Sequence, residues 1–355
     1  MTSRQRVVAA LQHREPDRTP IFEYYMRSPM FAALLGRPYA ADPDNWDALV
    51  VERGWEGAIR QAVVDRLDLA ELLGHDMLYA TPNPLPPAPP AAGPAEPQLP
   101  DDPVARMVRR VREREGWTVR PEQFRVYELL REEMDRRGLD LPVLAPAYVH
   151  GVWTDTDLME TMILAPEVAH QHFAAATRWA LQMVEQYLAR GIDQIGVGGD
   201  FSGTRPLISP AAYREFIMPE VRTVCRRVHA GGAWAVNASD GNLWPVIEDF
   251  LIGTEVDGYL EIDWHAGMDL RRLKQAYGTR ITFYGNLDGG NILSFGTPEQ
   301  VRQHTLECLE AGMGNGGHIL CASNAITASV PLVNYLAVVN AYRDRFHLPR
   351  FQPRC

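Results

Sequence analysis

Eight short apolar runs of strand length, spaced so that helices fit between them, constrain this chain more than any other feature. They are TPIFEYY (19–25), DMLYAT (76–81), PVLAPAY (142–148), QIGVGGD (194–200), AWAVNAS (233–239), GYLEID (258–263), ITFYGNLD (281–288) and GHILCASN (317–324). Most are continuous rather than alternating in polarity, as for strands covered on both faces of a parallel sheet. Parallel neighbours need crossovers, and the intervening stretches supply them. Helical signals cover residues 3–12, 125–138, 157–190 with a break at Ala165-Pro166, 210–230 after Ser209-Pro210, 268–277, 297–312 and 331–346. Thr297 with Gln300 has the form of a capping box, and Ser209 before Pro210 that of an N-cap. This alternation predicts an α/β chain, a single (βα)8 TIM barrel over residues 1–355. A doubly wound open sheet is the competitor. The count of eight, and the missing GxGxxG after the first strand, weigh against it.

One segment departs from the alternation. Nine of the 27 prolines lie between Pro82 and Pro100, too many for helix or central strand. Residues 82–103 therefore read as a Pro-rich, extended or flexible insertion after the second strand, and residues 111–128 as a small hairpin behind it.

Composition removes several function classes. Lys plus Arg is 35 and Asp plus Glu is 45, a formal charge of −10, which argues against a nucleic-acid partner. No apolar run approaches the 18 or so residues of a membrane span. The opening MTSRQRVVAALQHREPDRTP has neither the apolar core nor the cleavage site of a secretory signal. Cys225, Cys308, Cys321 and Cys355 have no zinc-finger or CxxC spacing, so a reduced, cytoplasmic setting is expected.

In a βα barrel the reactive groups project from the carboxyl ends of the strands. Those ends carry Glu23, Asn83, His150, Asp200, Asp240, Asp263 with His265, Asp288 and Asn324. Each alone could cap the following helix, but a converging ring of them is a site. Asp200, Asp240, Asp263 and His265 could also ligate a divalent ion. Without HExxH or clustered Cys and His, the preferred reading has no metal, with Asp263 and His265 hydrogen-bonded to each other. Cys321 reads as a small core residue. Arg27 and Arg205 follow strand ends and suit a carboxylate-bearing ligand.

Several segments, in order, resemble the uroporphyrinogen decarboxylase superfamily. They are Arg4-x-Arg6-Val7-x-Ala9-Ala10-Leu11 with Glu15-Pro16-Asp17-Arg18-Thr19-Pro20; Leu207-Ile208-Ser209-Pro210 with Tyr213-Arg214-Glu215-Phe216; Ser239-Asp240-Gly241-Asn242; Asp263-Trp264; Gly285-Asn286-Leu287-Asp288; and Gly316-Gly317-His318-Ile319-Leu320 with Ser323-Asn324. The resemblance implies a βα barrel with its site in the mouth. It also implies one of two chemistries: cofactor-free decarboxylation, or methyl transfer with a corrinoid protein after activation of a thiol on zinc.

The chain departs from both patterns. Met26-Arg27 is followed by Ser28-Pro29-Met30, so one arginine stands where the porphyrin decarboxylases have a pair, and Asn83 falls near their aspartate. Ala238, Asp240 and Asn324 stand where the thiol-activating enzymes have zinc ligands. The leading expectation is a decarboxylase-like lyase, without cofactor, acting on a small or medium carboxylated substrate other than the heme-pathway porphyrinogen. Asp200, Asp240 and His265 would be catalytic; Glu23, Arg27, His150, Arg205, Asp263 and Asn324 would bind substrate. The alternatives are a methyltransferase or demethylase partnered with a corrinoid protein, and a barrel that binds ligand without catalysis. A homodimer is expected from the relatives alone.

Overall fold

The computed structural model describes residues 1–27, 29–87 and 101–352. Among them, seven strands form one parallel sheet in chain order: β1 (Leu78–Tyr79), β2 (Val143–Pro146), β3 (Gln194–Gly198), β4 (Trp234–Ala238), β5 (Gly258–Leu260), β6 (Thr282–Tyr284) and β7 (His318–Ile319). The sheet curls into a TIM-barrel-like form, with helices on its outer face. Seven of the eight expected runs are thus strands, each within its predicted range.

The first run differs. Residues 19–25 form only a one-residue bridge, Ile21 with Leu320. Even so, Phe22 N–H donates to Leu320 O at 3.1 Å, Leu320 N–H to Pro20 O at 2.8 Å, and Asp76 N–H to Ile21 O at 2.7 Å. The segment therefore touches β7 on one side and the residues before β1 on the other. Pro20 has no N–H to extend the ladder, which keeps the pairing short.

The helices begin where the sequence places them. Thr2 caps Ser3–Leu11 in a capping box with Gln5. Ser209 caps the helix at Pro210, and Thr297 and Gln300 close the box on Pro298–Gly312. The break at Ala165-Pro166 separates Thr156–Leu164 from Pro166–Ala189. The hairpin expected in 111–128 is absent. Asp102 accepts from Ala105 N–H, Pro103 takes the first helical position, and Pro103–Arg114 is a helix burying Met107 and Val111. A short helical turn, Pro121–Phe124, then leads into Arg125–Arg137. Met107 and Val111, four residues apart, share one buried helical face, so the stretch through Arg114 continues the helix instead of entering a hairpin. Most of the Pro-rich insertion, residues 88–100, lies outside the described residues.

Two kinds of core result. Outward-facing strand residues such as Ile195, Val197, Tyr259 and Phe283 pack under the helices. Inward-facing Phe22, Leu144, Val236, Leu260, Tyr284 and Ile319 fill the interior. Val7, Ala10 and Leu11 of the first helix join that inner cluster, so this helix plugs the end from which the strands start. The opposite end is left for polar residues. No helix of the described residues is long and apolar enough to cross a membrane.

Candidate active site at the strand ends

Past β3, Gly198 and Gly199 take left-handed φ values of 111° and 118°. A Cβ on Gly198 would lie 2.0 Å from Asn237 Oδ1 and 2.9 Å from Ala238 O, so only glycine fits. This turn delivers Asp200. Past β4, Gly241 has φ 87°, and a Cβ there would lie 2.4 Å from Ser202 O. The close approach presses the Asp240 loop onto the Asp200 loop, and Asp240 N–H donates to Asp200 Oδ1 at 2.8 Å.

The third member comes from β5. Leu260 faces the inner cluster and Ile262 the outer one, so the strict alternation of a strand fails between them. Glu261 sits at the fault with φ 69°, and its carboxyl meets those of Asp200 and Asp240. One oxygen of each lies within 4.8 Å of the others. Tyr24 hydroxyl donates to Glu261 Oε1 at 2.7 Å, and Asn324 Nδ2 donates to Asp240 Oδ2.

Three half-buried carboxyls at this spacing cannot all be ionised without strong repulsion. Burial, with the charges of Glu261, Asp200 and Asp263, pushes Asp240 up to about 9 against the Asn324 hydrogen bond. Burial and Asp200 push Glu261 up to about 7 against the Tyr24 hydroxyl. Burial raises Asp200 as well, the Asp240 N–H opposing it. Near neutral pH the cluster holds protons it can give up. None of its recorded partners is a lysine or arginine among the described residues.

The other expected site residues divide. Asn324 is in the cluster as a donor. Asp263 adjoins it and holds backbone, accepting from Gly241 N–H at 3.2 Å and Ala266 N–H at 2.9 Å. It is not paired with His265, as the sequence suggested. Because Asp263 caps its own turn, His265 is turned outward, exposed, with Nδ1 3.3 Å from Asn291 Nδ2. The structure does not bring His265 to the carboxyls. Glu23 faces away from Tyr24, buried, accepting from Ala322 N–H at 3.0 Å and Tyr335 hydroxyl at 3.4 Å, and burial raises it to about 8. Arg27 is an exposed partner of Asp44 at 2.9 Å. Arg205 is exposed, with no side-chain partner among the described residues. His150 is buried against Phe201 at 6.0 Å between ring centres, and burial lowers it to about 4. Asn83 bonds Val126 N–H, Pro84 O and Glu122 O, a structural role. Asp288 accepts from Asn291 N–H.

Sequence reasoning missed Glu261 and Tyr24. The available signal was a carboxylate inside GYLEID, a run otherwise read as buried on both faces. Such a group needs a partner or a proton.

The donors do not suit a thiol-activating zinc. Ala238 offers a methyl, Asp240 a carboxyl and Asn324 an amide already bonded to Asp240. The nearby Cys321 is fully buried, its thiol pushed well above its ordinary range by that burial. Soft thiolates supply most of the affinity of such centres, and here the donors are carboxyl oxygens.

With this geometry in view, comparison with known proteins places the chain. Residues 142–345 match the family model described as uroporphyrinogen decarboxylase (URO-D). A methylated-thiol–coenzyme M methyltransferase of Methanosarcina mazei is 26% identical over 218 residues, 60% of this chain and 53% of that protein. A uroporphyrinogen decarboxylase of Xanthomonas euvesicatoria is 29% identical over 158 residues, 43% of this chain and 42% of that one. This chain thus spans about half the length of the curated relatives it matches. A solved methyltransferase from Methanosarcina mazei shares the fold, with a TM-score of 0.70 at 19% identity over 98% of this chain and 99% of its own. The model match extends from just before β2 to the end of the last helix and takes in the turns that carry Asp200, Asp240 and Glu261: the chain belongs to the uroporphyrinogen decarboxylase family.

Proposed function

We propose that this chain is a methyl-transferring enzyme working with a corrinoid protein, and that its mouth carboxyls move the proton gained or lost by the small-molecule partner. The observation that carries this reading is three converging carboxyls whose partners are an amide, a phenol and a backbone N–H, with no cation. A decarboxylase must hold a substrate carboxylate and offset charge on the reacting carbon. Of the two arginines expected to do so, Arg27 is paired with Asp44, and Arg205 is exposed with no recorded contact to the carboxyls among the described residues. A carboxyl cluster repels a carboxylate but suits a neutral methylated heteroatom or its conjugate acid. The name of the Methanosarcina mazei relative points the same way. We read the Ile21 segment as the eighth stave of one barrel domain around this site.

The corrinoid partner would supply the metal that accepts or gives the methyl group. The remaining work falls to this chain. As the carbon–heteroatom bond breaks, the bonding pair stays on the heteroatom, and a protonated carboxyl of Asp240 or Glu261 donates to it. In the reverse direction the carboxylate takes that proton back. Asn324 and Tyr24 orient the two acids, Asp200 shares their protons, and Asp263 holds the loops that present them. A positioned acid of this kind contributes about 10²–10⁴-fold.

The test uses methylcob(III)alamin as the methyl donor with a panel of thiols and phenols, followed by the change in the cobalamin spectrum. The expected result is enzyme-dependent demethylation, lost in Asp240→Asn. Release of labelled CO₂ from a carboxylated substrate, with no change in the cobalamin spectrum, would overturn the proposal in favour of a lyase.

A further inference from the structure

Away from the carboxyl cluster, a cavity of about 510 Å³ lies between the Pro103–Arg114 helix and the Pro166–Ala189 helix. Its walls include Trp117, Trp179, Arg114, Arg178, Ala147 and Val149. The volume falls within the roughly 300–1,000 Å³ of small-molecule sites. Two features set it apart from an ordinary surface dent.

The first is uncompensated charge. On the helix that forms one wall, Arg106 and Arg110 pair with Asp155 and Asp157, and Arg109 pairs with Glu113. Arg114 and Arg178 have no carboxylate within ion-pair distance among the described residues. Arg114 is part-buried and donates instead to a histidine ring, Nη1 to His172 Nδ1 at 3.2 Å. Since arginine can only donate, His172 Nδ1 accepts, and its Nε2–H donates to His150 O at 3.1 Å. A neutral imidazole satisfies the geometry of that guanidinium but not its charge. Glu115 on the rim is one acid against two guanidiniums, in a chain whose net charge is −10.

The second feature is an aromatic corner. Trp117 and Trp179 meet edge to face with centroids 5.9 Å apart, and Arg114 lies over Trp117 at 5.5 Å. Trp117 remains 53% exposed, a large apolar surface with one side uncovered. The exposed surface of Trp117 can take an aromatic ligand ring, and the neighbouring guanidinium can pair with a carboxylate in the plane of that ring.

We propose that this cavity binds a small planar aromatic carboxylate, its ring against Trp117 and Trp179 and its carboxylate on Arg114 and Arg178. The site is distinct from the carboxyl cluster yet adjoins its support. Val149 Cγ1 would lie 3.1 Å from a Cβ on Gly199, the residue before Asp200. His150, which His172 holds, donates its own N–H to Gly198 O at 3.1 Å. The inference does not depend on the reaction assigned to the mouth.

Isothermal titration of the full chain with 1-naphthoate tests it, with 1-naphthamide as the uncharged control. Saturable binding of naphthoate is expected, with naphthamide, and naphthoate on Arg114→Gln or Arg178→Gln, each at least about 10-fold weaker, as for loss of a charge-assisted pair. Arg114→Gln also cuts the bond to His172. Should that variant fold poorly, Arg178→Gln, altered on an exposed residue, carries the test. Three outcomes would overturn the proposal: no saturable binding to the wild type, naphthamide binding as tightly as naphthoate, or Arg178→Gln binding like the wild type.

Discussion

At the amino-terminal ends of the strands, acids are met by cations; at the carboxyl-terminal ends, acids meet one another. Asp76, before β1, is fully buried, yet Arg6 reaches it at 3.1 Å and Arg18 at 2.7 Å, with Ile21 N–H at 3.2 Å. Asp193, before β3, pairs with Arg4 and accepts from Val143 N–H at 3.2 Å. Asp257, before β5, has His229 at 2.8 Å and Ala235 N–H at 2.7 Å. Past the other ends of β3, β4 and β5 stand Asp200, Asp240 and Glu261, with no cation among their recorded partners. The same residue types therefore do opposite work. One set ties helices and loops to the base of the sheet. The other keeps charge uncompensated, at a cost in stability, so that its groups carry protons where substrate can reach them.

Breaking the first set should give the largest effect on stability. Asp76→Ala strips Arg18 of its recorded carboxylate and leaves Arg6 only the more exposed Asp17, so a loss of about 3–5 kcal/mol in denaturant unfolding is expected, with turnover per folded molecule unchanged. A loss below about 1 kcal/mol, the scale of an exposed pair, would erase the contrast between the two ends.

The second set answers in rate. Asp240→Asn keeps the shape and removes the proton, so turnover should fall about 10²-fold or more while the fold persists. Wild-type turnover in this variant would make the cluster a structural feature like the first.

The pH dependence of stability separates the two ends more finely. A carboxyl whose folded value is raised stays protonated in the folded chain after the unfolded chain has released its proton. Stability is therefore full below the ordinary carboxylate value and is lost as pH rises toward the folded value, about 9 for Asp240. Wild type and Asp240→Asn should unfold alike near pH 4. By pH 9 the variant should be the more stable, by on the order of 1 kcal/mol or more. Denaturant titrations at the two pH values check this, and a gap that narrows with rising pH would contradict it.

Smaller effects sharpen the picture. Tyr24→Phe removes the one side-chain donor recorded on Glu261, and turnover should drop about fivefold, the scale of a net hydrogen bond near 1 kcal/mol. Elemental analysis of protein purified without chelator should find less than about 0.2 equivalents of zinc, since among the described residues the grouped donors are carboxyl oxygens and no thiol joins them. Close to one equivalent, lost in Asp240→Asn, would show that carboxyl oxygens suffice.

Much of this was legible in the chain before it folds. Seven strands lie inside the predicted runs, and Ser209 and Thr297 start helices where their side chains predict. Asp200 and Asp240 converge as their places after β3 and β4 suggested. The misreadings share a cause. The 111–128 stretch reads locally as a hairpin, whereas Met107 and Val111 bury at helical spacing against distant elements. His265 looked like a partner of Asp263, but Asp263 is taken by the backbone of Gly241 and Ala266. Arg27 looked like an anchor for substrate, but Asp44 comes back to meet it.

What the sequence by itself determined is periodicity and punctuation: apolar runs, N-caps, the prolines that start helices and the glycines that allow tight turns. These depend on neighbours a few residues away, whose geometry covalent structure already limits. Only the tertiary structure decided which acids share charge. Glu261 enters the mouth because its φ of 69° reverses the alternation of β5, and its Tyr24 partner arrives from a segment 237 residues earlier. The direction of a side chain beyond a strand end turns on single dihedrals and on atoms brought from far along the chain. No local pattern encodes that meeting, because the repulsion that sets these proton affinities exists only once the carboxyls are held together.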